Sequence, residues 1–192
     1  MTRLELLKAI YGAVDWQKLY ETLPELTRQQ ADEFFQELRR LVGEAPEPAR
    51  EAAAIVRGGE ALLYCDGASR GNPGPAGTGM VLAAPDGREV LAWGESIGRA
   101  TNNVAEYRAA IAGLRKALEL GVRRIRLLSD SELLVRQLQG RYRVRHANLQ
   151  PLHRQATELL GRFDGWEAVR VARDENARAD ALAAQHAVDP AP

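Results

Sequence analysis

Ala61-Leu62-Leu63-Tyr64-Cys65-Asp66 is a short apolar run closed by a carboxylate, and it opens directly onto Gly67-Ala68-Ser69-Arg70-Gly71-Asn72-Pro73-Gly74-Pro75-Ala76-Gly77. The first six residues have the composition of a buried strand, and the glycines, prolines and asparagine behind them are turn formers. Asp66 is therefore expected at the end of a strand, facing a loop. Downstream, residues 78–84 and 89–97 read as two further strands joined by a tight turn at Pro85-Asp86-Gly87-Arg88, which makes an antiparallel meander. Asn103 is placed to cap a long helix with Ala105, Ala109, Ile111, Ala112, Leu114 and Leu118 on its apolar side and Gly121 at its end. A strand at 124–130, helices at 131–139 and 149–163, a strand at 166–172 and a helix at 177–187 complete the pattern. The order βββαβααβα predicts an α/β fold, a mixed five-stranded sheet with helices packed on its faces.

Upstream the character changes. Residues 1–43 read as helical: Asp15 caps a short helix that Pro24 interrupts, and Thr27 with Gln30 forms a capping-box pattern before Ala31, Phe34, Phe35, Leu38, Leu41 and Val42. Residues 44–58, starting Glu44-Ala45-Pro46-Glu47-Pro48, read as a linker, and 59–188 as the main domain. The first 45 residues carry eight acids against six bases, a poor electrostatic clamp for nucleic acid. This small all-α segment is expected to pack on itself through Trp16, Tyr20, Phe34 and Phe35, and to serve self-association or a protein partner.

Over the whole chain of 192 residues, Lys plus Arg equals Asp plus Glu at 26 each, so no global field recruits a polyanion. Binding to nucleic acid must rest on local patches. A single cysteine, Cys65, rules out an internal disulfide framework, and its place in an apolar strand marks it as a packed side chain. No 18 consecutive apolar residues occur, and the first residues lack the long apolar segment of a secretory signal. A cytoplasmic setting without a membrane span is expected.

Three further acids occupy places comparable to that of Asp66. Glu106 lies three residues after Asn103, where a capping box would put it, and Asp130 lies where an N-cap would. Asp66 itself could be an ordinary turn residue. Asp180 has no such duty, since it sits one turn inside an alanine-rich helix where Asp has poor propensity. Taken together, strand ends at Asp66 and Asp130 and helix faces at Glu106 and Asp180 can converge at one edge of a sheet. Close anions repel unless a cation lies between them, and all-oxygen donors without a His or Cys cluster select Mg²⁺ or Mn²⁺ over Zn²⁺.

Asp66 to Pro75, Thr101-Asn102-Asn103-Val104-Ala105-Glu106, Ser129-Asp130-Ser131 and Asn176-Ala177-Arg178-Ala179-Asp180 resemble, in order, the four signature segments of the type 1 ribonuclease H family. The resemblance spans residues 61–187. It implies an endoribonuclease that hydrolyses the RNA strand of RNA/DNA hybrids with two Mg²⁺ ions, Mn²⁺ being an alternative. It implies that Asp66, Glu106, Asp130 and Asp180 are the catalytic, metal-binding carboxylates, with Asp66 shared by both ions. It further implies that Glu106 and the main chain at Gly67 and Ala68 test the 2′-hydroxyl, and that Asn72, Asn102 and Asn103 touch the minor groove. Thr101 and Ser131, from the same segments, join the substrate-binding set.

Two departures from the family pattern stand out. The loop before the last helix, Val171-Ala172-Arg173-Asp174-Glu175, has no histidine, which leaves Arg173 or Glu175 to assist. His146, His153 and His186 lie elsewhere and are expected at the surface. In place of a long basic insertion the chain has only Gly140-Arg141-Tyr142-Arg143-Val144-Arg145-His146, which can track a phosphate backbone or merely close the core edge. Double-stranded RNA is accordingly an alternative substrate, and a binding module without turnover an alternative function.

Overall fold

The structure, a computed structural model, describes residues 54–188 throughout and, before them, residues 10, 14–23, 26–27, 30–31, 33–34 and 38. The chain divides into two compact units, Met1–Glu51 and Ala52–Pro192. In the first, α1 (Trp16–Thr22) starts at Asp15, whose Oδ1 accepts from the Lys18 N–H at 3.1 Å. The capping box forms as expected, Gln30 N–H to Thr27 Oγ1 at 3.2 Å and Thr27 N–H to Gln30 Oε1 at 2.9 Å. Phe34, expected inside this segment, is instead 60% exposed. The side chains of Trp16, Tyr20 and Phe35, and nearly all of the expected linker before residue 54, lie outside the described residues.

The second unit runs β1 (Glu60–Ser69), β2 (Gly74–Ala83), β3 (Glu89–Ala100), α2 (Asn102–Glu119), β4 (Arg124–Ser129), α3 (Glu132–Leu138), α4 (Gln150–Leu160), β5 (Gly165–Arg170) and α5 (Ala177–His186). This is the expected order, and the five strands form one mixed sheet, β3-β2-β1-β4-β5. The meander β1-β2-β3 is antiparallel, while β4 and β5 run parallel to β1. Residues alternate sides along β1, so Leu63 faces one layer of helices and Tyr64 the other. The main core lies under α2, α3 and α4, where Leu63, Met80, Leu82, Tyr107, Leu114, Ile125, Leu127, Leu134 and Leu160 are fully buried. Each such aliphatic side chain contributes roughly 1.5–3 kcal/mol on leaving water. Val56, upstream of β1, is buried in the same core. Opposite, α5 covers Val81, Tyr64 and Ala92 with Ala179 and Leu182. Among the described residues no helix is long and apolar enough to cross a membrane.

Several boundaries differ from expectation. β1 does not end at Asp66 but continues to Ser69, and β2 starts at Gly74, not at 78, so Asp66 pairs with Gly79 inside the ladder. The glycines there serve close approach more than turning. A Cβ on Gly79 would stand 2.0 Å from the Ala179 carbonyl oxygen, and one on Gly77 would stand 2.5 Å from the Ala183 carbonyl oxygen, so α5 rests on bare backbone. The helix after β3 is capped by Thr101, whose Oγ1 accepts from the Val104 N–H at 3.4 Å; Asn103 is its exposed second residue. Gly121 ends that region with φ +79°, as the sequence suggests. Two histidines are not surface groups. His153 is half-buried and donates from Nε2 to the Gln137 carbonyl at 3.1 Å, and His186 is half-buried with Nδ1 donating to the Leu182 carbonyl at 2.8 Å.

Candidate active site

The parallel pairing of β1 with β4 ends at Tyr64 and Leu128, and beyond that rung the two strands part. Asp66 and Asp130 lie just past the divergence, at the carboxyl ends of parallel strands where open α/β sheets bind ligands. Glu106 reaches the same place from α2 because Gly67 lets the helix touch the strand: a Cβ on Gly67 would stand 2.1 Å from the Glu106 nitrogen. Asp180 arrives from the other face, on the first turn of α5, one residue after the Ala179 that rests on Gly79. Four elements thus deliver four acids to one end of the sheet.

At this distance the acids act on one another's charge. Asp66 is 8% exposed, and its pKa is pushed from an ordinary 3.8 to about 7, first by burial, then by the charge of Asp130, with Asp180 and Glu106 adding and the Gly67 N–H opposing. Glu106, equally buried, is also raised by loss of solvent and by Asp130, against hydrogen bonds from Ser131 and Asn102. The Cys65 thiol beneath them is pushed far up by burial and by the same carboxylates, which makes it unreactive.

The capping explanations for two acids fail. Glu106 does not close a capping box: its Oε1 accepts from Asn102 Nδ2 at 3.0 Å and its Oε2 from Ser131 Oγ at 2.6 Å. Asp130 is not an N-cap, because Ser131 caps α3 through the Leu134 N–H, and Asp130 Oδ1 accepts from Asn176 Nδ2 at 2.8 Å. Asp180 Oδ1 accepts from Arg173 Nη2 at 3.2 Å. Glu175, the other loop residue singled out, turns its carboxylate back to the Ala172 N–H at 2.8 Å and closes its own loop.

The remaining candidates surround this cluster. Asn72 Oδ1 accepts from the Asn102 N–H at 3.2 Å, tying the β1–β2 loop to the start of α2, while Asn103 projects into solvent. Ala68 continues β1 opposite Gly77. Thr101 caps α2, and Ser131 caps α3 while its Oγ also donates to Glu106 Oε2. In the 140–146 stretch Arg141, Arg143 and Arg145 are exposed, and the Arg136 guanidinium lies 5.0 Å over the Tyr142 ring. Sequence reasoning missed two groups. Asn176, 1% exposed, bridges Asp130 and β1, and the Tyr107 hydroxyl donates to Gln137 Oε1 at 2.9 Å in the interior behind Glu106. In the sequence Asn176 reads only as the first residue of the last signature segment, without a role of its own.

As placed, no three acidic, histidine or cysteine side chains among the described residues stand ready to share one ion. Each carboxylate is turned to a protein donor. The donor set fits a hard divalent cation all the same: oxygen ligands only, on rigid elements, with Asp66 bearing the repulsion of three neighbours that positive charge would relieve.

Comparison with known proteins agrees with this arrangement. A family model described as reverse transcriptase-like matches residues 64–186. The chain is 46% identical over 146 residues to ribonuclease HI of Halobacterium salinarum, covering 75% of this chain and 73% of that protein. It is 48% identical over 123 residues to the bifunctional protein Rv2228c of Mycobacterium tuberculosis, covering 64% of this chain but only 34% of that one. The crystal structure of the Halobacterium salinarum RNase H1 superposes with a TM-score of 0.65 at 48% identity, covering 67% of this chain and 97% of that one. LC11-RNase H1, isolated from compost and solved in complex with RNA/DNA hybrid, gives 0.62 at 36% identity over 65% of this chain and 94% of its own. On the matched residues, the shared sheet and these identities, the chain belongs to the reverse transcriptase-like family, among its type 1 ribonucleases H.

Proposed function

We propose that the chain is an endoribonuclease that hydrolyses the RNA strand of RNA/DNA hybrids and leaves 5′-phosphate and 3′-hydroxyl ends. The observation that carries this reading is the convergence of Asp66, Glu106, Asp130 and Asp180 at one end of the sheet, where burial first and then the charges of the other three acids lift Asp66 to about 7. Enzymes of this family depend on metal ions in general. When bound, two Mg²⁺ ions, or Mn²⁺ in their place, would activate the attacking water and stabilise the leaving 3′ oxygen. Asp66 is assigned to hold both, because the charges of all three other acids bear on it. Asp180 is assigned to one side, and Glu106 with Asp130 to the other. Arg173, already on Asp180, is the group that stands where the loop histidine is absent.

Substrate choice rests on neighbouring groups. Glu106 and the main chain at Gly67 and Ala68 meet where a ribose 2′-hydroxyl can be tested, since the missing side chain of Gly67 brings them together. Asn72, Asn102, Asn103, Thr101 and Ser131 frame that position for the minor groove. The complex of LC11-RNase H1 supports hybrid as the ligand. Because the basic stretch is short, double-stranded RNA is the second reading; comparing cleavage of hybrid, RNA duplex and DNA duplex decides it, and strict hybrid preference removes it. The unit Met1–Glu51 is assigned to self-association or a protein partner, which light scattering of the full chain would read. We place the protein in the cytoplasm. The direct test is Mg²⁺-dependent cleavage of a labelled hybrid by wild type and Asp130→Asn. Loss of cleavage is expected, and equal rates would reject the catalytic assignment.

A further inference from the structure

Asn176 is an odd residue for its position. It stands at the N-terminal end of α5 but makes no side-chain cap bond to that helix, and it is buried at 1% exposure. Both hydrogens of its amide are spent across the sheet: Nδ2 donates to the Cys65 carbonyl at 3.2 Å and to Asp130 Oδ1 at 2.8 Å. Its own Oδ1 is buried with no hydrogen-bond partner. Reversing the amide would set that oxygen against a carbonyl and a carboxylate, so the orientation is fixed by its two acceptors. A buried orphan acceptor is unfavourable, and it persists in a fold when the rest of the group is needed.

The location of these bonds shows the need. Cys65 and Asp130 lie one and two residues past the last rung between β1 and β4 at Tyr64 and Leu128. The Asn176 amide therefore spans the gap where backbone pairing has stopped. Cys65 immediately precedes Asp66, and the Asn176 carbonyl accepts from the Asp180 N–H at 3.0 Å. One residue thus ties together the three segments that carry Asp66, Asp130 and Asp180. Asp130 Oδ1 is held, and its Oδ2 has no protein partner among the described residues.

We infer that Asn176 is a positioning residue that sets the spacing of Asp66, Asp130 and Asp180 by bridging the parted ends of β1 and β4, and so sets the affinity of the site for divalent cation. This rests on the ribonuclease reading for what the cation does, but the brace itself is a property of the metal-free protein. Groups behind metal ligands are commonly worth about 10- to 100-fold in metal affinity.

The experiment pairs Asn176→Leu with Asn176→Ala. Leucine removes the donors and the orphan oxygen together while filling a similar volume. The expected result is a lower thermal midpoint for both variants, because the Cys65 carbonyl and Asp130 Oδ1 lose their donor, with Mg²⁺ affinity by calorimetry in the folded variants lowered about 10- to 100-fold. On hybrid, kcat should fall at fixed Mg²⁺ with KM within about two-fold, because substrate groups lie elsewhere. Wild-type Mg²⁺ affinity in folded Asn176→Leu or Asn176→Ala would overturn the proposal. Should neither variant fold, the Asn176 side-chain amide of wild type decides: shifted, slowly exchanging protons in ¹⁵N spectra of the metal-free protein uphold the brace, and solvent-like shifts and exchange overturn it. If wild type itself takes up no Mg²⁺, the ribonuclease reading falls, and those same amide signals still judge the brace.

Discussion

Removing the charge of Asp66 should stabilise the metal-free protein increasingly above about pH 4, and most fully from about pH 7 upward. Its pKa is lifted from 3.8 to about 7, a rise of about three units, at about 1.36 kcal/mol each, so the ionised form is disfavoured in the fold by up to roughly 4 kcal/mol. With so little of Asp66 exposed, solvent screens this only weakly. The group is raised in the folded state, so its favourable contribution is complete below about pH 4 and disappears as pH climbs through 7. Asn in its place keeps the shape and does not titrate. Part of the effect is shared with Asp130, Asp180 and Glu106, so Asp66→Asn is expected to gain roughly 2–4 kcal/mol over wild type at pH 8 and nothing at pH 4. Urea unfolding in EDTA at stepped pH measures the difference directly, and Mg²⁺ added to wild type at pH 8 should close the gap. A difference that stays flat from pH 4 to pH 8, or a loss at pH 8, would refute the reasoning, since neither burial nor repulsion could then be acting on that carboxyl.

Two other substitutions probe how the site is held. Gly67→Ala would place a Cβ 2.1 Å from the Glu106 nitrogen, in backbone that cannot yield, so a loss of about 3 kcal/mol or more is expected in urea, and a change under about 1 kcal/mol would contradict the contact. Tyr107→Phe leaves Gln137 Oε1 buried without its donor and should cost about 1–3 kcal/mol in the same assay; no loss would mean that the Tyr107 hydroxyl bond carries no weight.

Much of this molecule can be read from its residues, because the signals that survive are local ones. Alternation and turn chemistry gave the order of elements, and Gly87 and Gly121 sit in the turns their positions suggested. The four acids were legible as a set, since no single local role explained all of them. Errors arose where a residue's purpose lies in something distant along the chain. Gly74 and Gly77 looked like loop, yet Gly77 is strand made bare so that α5 can lie on it. Asn103 looked like a cap because Asn commonly is one, while Thr101 was better placed by two residues of helix that only the contact with Asn72 reveals. His153 and His186 looked polar and became half-buried donors to helix carbonyls. Asn176 stands first in the last signature segment, but nothing local marks its role: its two acceptors are 111 and 46 residues away.

The seat of α5 on Gly77 and Gly79 has a consequence for the making of the enzyme. A chain emerging from the ribosome completes all five strands before residue 177 appears, and at that moment the groove over β2 stands open with its glycine floor and Val81 exposed to water. Only when the last helix drops into this slot does Asp180 join the other acids. A chain stopped before residue 177 therefore lacks both the cover over β2 and the fourth acid of the site.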